Sequence, residues 1–168
     1  VLVEARAPRP ALALAEEART LGVPVRAVSA EAVRSWSRGR NLQGIVARLR
    51  PYSYASFEDW LEERDSRWLL LALDSVQDPQ NLGSILRTAA FYGVGGVVIP
   101  KDRAVGVTGA VFRASAGAVA RVPVARVVNL ARALRAAGEA GWRVIGAVAH
   151  GGVAPERMPR QGPRMLVM

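Results

Sequence analysis

Residues 73–93, LDSVQDPQNLGSILRTAAFYG, hold a strand exit, a polar turn and a whole helix in one run. The apolar segment ahead of it, Trp68 to Leu73, is too short for a buried helix and reads as a strand. Asp74 to Gln80 is a turn. Asp78-Pro79 is a strong helix start, a carboxylate for free N–H groups followed by a residue pre-set in φ. Asn81 is a second candidate cap. Leu82, Ile85, Leu86 and Ala89 supply the buried stripe, Gly93 stops the helix, and Gly95-Gly96-Val97-Val98-Ile99 opens the next strand. Such a unit puts polar residues outside the carboxyl ends of strands, where open α/β sheets bind ligands. Two of those residues have two readings each. Asn81 is either a cap or a site residue; Arg87 is either a solvated face residue or a charge held for a ligand.

The pattern Asp78-Pro79-x-Asn81-x-Gly83-x-x-x-Arg87-Thr88-Ala89 resembles the first signature motif of the SpoU-type ribose 2′-O-methyltransferases, in the SPOUT superfamily. The likeness continues through Pro100-Lys101-Asp102-Arg103, Ala114-Ser115-Ala116-Gly117-Ala118 and Val122-Pro123-Val124, covering about residues 68 to 168.

Composition narrows the alternatives. The chain has no Cys and a single His, so neither a disulfide framework nor a thiolate or imidazole metal site is expected. No apolar run approaches the roughly 18 residues a membrane span needs, and no signal peptide is visible; the expected address is cytoplasmic. Net charge is +9, with residues 1–66 contributing +1 and residues 67–168 contributing +8. That excess favours nucleic acid as partner. Neither G-x-G-x-x-G nor a P-loop follows the first strand of the second part, so a NAD- or ATP-type phosphate cradle is missing.

Three parts are expected: 1–50, a small RNA-binding domain clipped at its start; 51–66, a linker with a short acidic helix; and 67–168, a methyltransferase domain. In the first part, Val1-Leu2-Val3 reads as a strand and Ala11 to Gly22 as a helix whose stripe is Leu12, Leu14, Ala15, Ala18 and Leu21. Val23 to Val28 is a strand, Ala30 to Trp36 a helix capped by Ser29, and Ile45 to Leu49 a third strand. The loop between, with Arg38, Arg40, Asn41 and Gln43, suits phosphates and bases, or is a solvated turn. Asn41-Leu42-Gln43-Gly44 resembles the loop ending the small ribosomal-protein-like domain that precedes many SpoU-type enzymes, with Leu42 where a His is common. Tyr52 and Tyr54 pack at the domain junction or stack on bases.

The second part reads as strands at Val94 to Pro100, Val119 to Val124, Val144 to Val148 and Met165 to Met168, with helices at Thr108 to Gly117 and, capped by Asn129, Leu130 to Ala140. The expected fold is α/β: a small α/β domain, then a Rossmann-like, mostly parallel sheet of SPOUT type. Lys101 and Arg103, in a loop at a strand's carboxyl end, and Arg113 on a helix are further RNA-binding candidates. His150, in a glycine-rich loop, reads as solvent-facing.

The resemblance implies methyl transfer from S-adenosylmethionine to a ribose 2′-hydroxyl in RNA, ribosomal more than transfer RNA, by a homodimer; the composition already argues against a metal. It carries catalytic roles over to Asn81 and Arg87. It implies a cofactor site in a C-terminal trefoil knot, to which Gly146, Ala147, Val148 and Ala149 contribute one loop. The remaining knot segments would follow Met168, so the chain is expected to be an incomplete, inactive piece. The rival expectation is a non-catalytic RNA-binding module.

Overall fold

The structure, a computed structural model, describes residues 1–37, 43–62, 68–158 and 161–168. They form two units, Val1–Pro51 and Tyr52–Met168.

In the first unit β1 (Leu2–Glu4), α1 (Arg9–Thr20), β2 (Arg26–Val28), α2 (Ala30–Ser37) and β3 (Ile45–Val46) make a three-stranded sheet ordered β2-β1-β3. β1 runs parallel to β2 and antiparallel to β3. The third strand is shorter than the Ile45 to Leu49 run expected. Ser29 caps α2 through its hydroxyl, which accepts the Ala32 N–H at 3.2 Å. The core differs from the expected leucine stripe. Ala7, Ala11 and Ala15 pack with Val3, while Leu12, Leu14 and Leu21 are exposed. Alanines let the helix lie close on a small sheet, which leaves the bulkier side chains no room inside.

The second unit carries α3 (Phe57–Glu62), β4 (Leu69–Ala72), α4 (Pro79–Phe91), β5 (Gly96–Pro100), α5 (Gly109–Ala114), β6 (Val124–Val127), α6 (Leu130–Glu139), β7 (Arg143–Gly146) and β8 (Arg164–Val167). Its sheet is ordered β6-β5-β4-β8-β7, with every pairing parallel. Strand order reverses between β4 and β8. That is the switch point at which a crevice forms beyond the strand ends. Alternate residues face opposite layers: Leu71, Leu73, Val97 and Ile99 pack with Leu82 and Leu86 of α4 and Val111 of α5. Leu70, Ala72 and Val98 pack with Phe57 and Trp60 of α3 and Ala133 and Ala137 of α6. Both faces are covered, which is why β4 and β5 read as unbroken apolar runs.

Two expected elements shift. The helix from Thr108 stops at Ala114, because Ala116 (φ 50°) and Gly117 (φ 80°) turn the chain through the left-handed region. The strand expected at Val119 to Val124 is instead a 3₁₀ turn at Ala118–Ala120, and the strand begins only at Val124. Pro123, with no N–H to give the ladder, marks that later start.

The segment before α3 seals the β6 edge. Ala55 bridges Ala125 in parallel and donates its N–H to Val124 at 2.9 Å. The Tyr52 hydroxyl accepts the Val124 N–H at 3.1 Å, and the Tyr54 hydroxyl accepts that of Val107 at 2.9 Å. Among the described residues no helix is long and apolar enough to cross a membrane.

Candidate functional site

The site begins where β4 hands over to α4. Asp78 is extended (φ −85°, ψ 126°), and its carboxylate accepts the Asn81 N–H at 3.0 Å. This settles which residue caps the helix. Asn81 lies inside the first turn, and its exposed carboxamide is not the cap.

Gly83 follows on the buried side. A Cβ there would collide with the Cβ of Ala114 and come within 2.8 Å of the Ser115 nitrogen, so α4 and α5 touch backbone to backbone. Ser115 is fully buried in that seam; its hydroxyl donates to the Phe112 carbonyl at 3.1 Å. The motif glycine is therefore a packing requirement, legible in the small residues at 83 and 114.

Arg87 stands one turn beyond Gly83 on the same side of α4. It is exposed and has no hydrogen-bond or ion-pair partner among the described residues. It lines a cleft of about 440 Å³ with Ala90, Phe91, Arg121 and the turn Ser115 to Ala118. Asn81 is not part of that cleft. Six residues of α-helix separate Asn81 and Arg87 by about 9 Å along the axis and about 120° around it.

The loops at the carboxyl ends of β4 and β5 are fixed to each other. Val105 donates its N–H to Val76 at 2.9 Å, and Ser75 and Arg103, both at φ 59°, turn the two loops sharply. Asp74 accepts the Ser75 hydroxyl at 3.1 Å. Lys101 and Arg103 project from this rim into solvent, and the Lys101 carbonyl accepts Nη2 of Arg126 at 2.8 Å. The Arg126 guanidinium also lies 5.1 Å from the Tyr54 ring centre. Tyr52 meets Tyr54 edge-on at 5.1 Å, and burial pushes its phenol above the ordinary range. Both tyrosines are thus spent on packing within the second unit.

The other expected site residues lie apart. Arg113 is exposed on α5, outside the Arg87 cleft, and Gln43 is exposed in the first unit. Arg38, Arg40 and Asn41 lie outside the described residues. Gly146 is the last residue of β7, and Ala147 to Ala149 run past the strand end, shorter than the strand expected to Val148. All four are exposed, and the Ala147 N–H is taken by the Val167 carbonyl at 2.8 Å. His150 is exposed. Arg121 was hidden in the sequence, because reading Val119 to Val124 as a strand removes it from the Arg87 neighbourhood.

A wholly parallel α/β sheet, with a motif helix capped by Asp-Pro at its switch point, defines the class. The chain belongs to the SpoU rRNA Methylase family, which residues 68–168 match. Residues 1–55 match the family described as RNA 2′-O ribose methyltransferase substrate binding. The chain is 44% identical over 139 residues to the 23S rRNA (guanosine-2′-O-)-methyltransferase RlmB of Xylella fastidiosa, covering 80% of this chain and 56% of that protein. It is 43% identical over 134 residues to a putative TrmH family tRNA/rRNA methyltransferase, YacO, of Bacillus subtilis, covering 78% and 53%. It therefore spans about half the length of these curated relatives. Among solved structures it is similar to an AdoMet-bound rRNA methyltransferase from Sinorhizobium meliloti, with a TM-score of 0.74 and 25% identity over 99% of this chain and 62% of that one.

Proposed function

We propose that this chain is part of an S-adenosylmethionine-dependent RNA ribose 2′-O-methyltransferase, acting on ribosomal rather than transfer RNA. Residues 1–50 serve as a substrate-binding domain and 67–168 as a methyltransferase domain, joined through 51–66, of which Tyr52 to Glu62 belong to the second unit. The observation that supports this most is on α4. Asp78 meets the helix's capping need, and the exposed side chains of Asn81 and Arg87 make no hydrogen bond or ion pair among the described residues. The likeness to the Xylella 23S rRNA enzyme supports the choice of RNA; a homodimer is part of the proposal.

Transfer to a ribose requires its 2′-oxygen to be aimed at the methyl carbon and to lose its proton. S-adenosylmethionine would supply the electrophilic methyl and leave as S-adenosylhomocysteine, with the hydroxyl proton passing to solvent. A guanidinium is a poor general base, and Arg87 is assigned another role. It grips the phosphate beside the target ribose and steadies negative charge developing on the 2′-oxygen. Asn81 orients the hydroxyl or braces the arginine. Lys101, Arg103, Arg113 and, in the leading domain, Arg38, Arg40, Asn41 and Gln43 extend the grip along the RNA.

Gly146 to Ala149 fit one rim of a cofactor site and no more. Their side chains are apolar, so only main-chain groups are on offer, and one of these is already bonded within the sheet. No step is assigned to them.

The test is transfer of labelled methyl to ribosomal and transfer RNA transcripts by the full-length gene product. Transfer to a ribose 2′-oxygen of ribosomal RNA, lost in Arg87→Ala, is the expected result. RNA binding without any methyl transfer would return the chain to a binding module.

A further inference from the structure

We infer that Arg121 and Phe91 complete, with Arg87, a subsite for an unpaired nucleotide flanking the target, so that this face of the enzyme takes RNA as a single strand. The inference rests on the reading of the second unit as RNA-binding.

The cleft beside α4 has two guanidinium groups, Arg87 and Arg121, and no carboxylate among the residues lining it. Neither arginine has a side-chain hydrogen bond or ion pair among the described residues. Two cations facing one concavity raise each other's energy, and an anion between them relieves it. Guanidinium forks match phosphate oxygens in particular.

The aromatic side chains identify what comes with the phosphate. Phe91 is 84% exposed and also lines the cleft, and Tyr92 next to it is 75% exposed. Their rings meet edge-on, with centres 5.1 Å apart. An uncovered ring beside two phosphate-binding arginines is the combination on which single-stranded nucleic acid stacks its bases. Bases inside an A-form duplex are closed to such stacking. The size agrees: about 440 Å³ is room for a nucleotide, not a helix. Ala116, Gly117 and Ala118 keep the wall opposite low, so that a sugar-phosphate backbone can come close.

The full-length protein is titrated with a fluorescent single-stranded oligoribonucleotide and with a blunt hairpin duplex, at several salt concentrations. Arg121→Ala is expected to flatten the dependence of log affinity on log salt by about 0.7 for the single strand. In turnover it should raise KM by a larger factor than it lowers kcat. Phe91→Ala is expected to weaken single-strand binding by roughly 5- to 150-fold, to leave duplex binding within about twofold, and Phe91→Trp to restore it. An unchanged salt slope in Arg121→Ala overturns the subsite. So does an equal loss for both RNAs in Phe91→Ala, or a change in oligomer mass with RNA affinity intact, which would make Phe91 a protein contact. These are binding readouts and need no turnover. Loss of methyl transfer in Arg87→Ala alongside unmoved binding in the other variants would therefore remove the subsite and leave the enzymatic reading standing.

Discussion

Gly83 of α4 and Ala114 of α5 meet so closely that no side chain fits between them: the carbonyl carbon of Ala114 and the nitrogen of Ser115 are each 2.8 Å from where a Gly83 Cβ would stand. The contact sets the height of Arg87 over the turn that follows α5, because the arginine sits one turn along from the glycine. A packing contact and a candidate site are thus the same seam.

Gly83→Ala tests that coupling. Alanine favours the helix by up to about 1 kcal/mol over glycine. The added methyl meets the Ala114 Cβ and the backbone beside it, neither of which can rotate away, and overpacking of that kind costs about 1–3 kcal/mol. Net destabilisation is expected, measured as a lower urea midpoint with the slope unchanged. A midpoint equal to or above that of the parent would show that the helices separate without cost.

Arg87→Ala should cut turnover by about 10²-fold or more, the scale of losing a group that stabilises transition-state charge. Arg87→Lys should not fully restore it, since an ammonium lacks the planar fork. Folding stability should barely move, because the side chain is exposed and unpartnered among the described residues. Near-parental rates in Arg87→Ala would remove this residue from the reaction.

Asp78 and Asn81 should separate cleanly into a structural and a chemical residue. Asp78→Ala is expected to cost about 0.5–2 kcal/mol through the lost cap, with Asp78→Asn largely retaining it. Asn81→Ala should lose turnover while its thermal midpoint stays near parental. The reverse pattern, with Asn81→Ala the unstable variant, would mean that the carboxamide braces the fold.

Tyr52 gives the second unit an alkaline limit. Burial raises its phenol above the ordinary value of about 10, against a smaller lowering by the Val124 N–H. The unfolded chain therefore releases that proton first as pH rises. The stabilising contribution is whole below about pH 10 and is lost between there and the raised folded value. Tyr52→Phe should flatten this alkaline loss, at a cost of about 1 kcal/mol near neutrality for the lost hydrogen bond to Val124. Urea unfolding followed from pH 8 to 11 checks it; an alkaline slope identical in the two proteins would place the titration elsewhere.

Local chemistry made α4 readable from its residues: an Asp-Pro start, an apolar stripe at helical spacing and a glycine stop act within a few residues of one another. The same holds for α6, whose Asn129 side chain accepts the Arg132 N–H at 2.9 Å. β4 and β5 were legible as strands from their unbroken apolar runs, because a strand covered on both faces has no polar side to show. What tertiary structure alone decided are matters of which surfaces meet. Leucines of α1 look like core by periodicity, yet the alanines are inside, since the depth available under a three-stranded sheet is not written in one helix. Val119 to Val124 has strand composition, yet the left-handed turn at Ala116-Gly117 spends its first residues on a 3₁₀ turn. That turn carries Arg121 to the side of Arg87, 34 positions away in the chain. Spacing could nominate Arg87; only the packing of α4 on α5 could tell which other charge it faces.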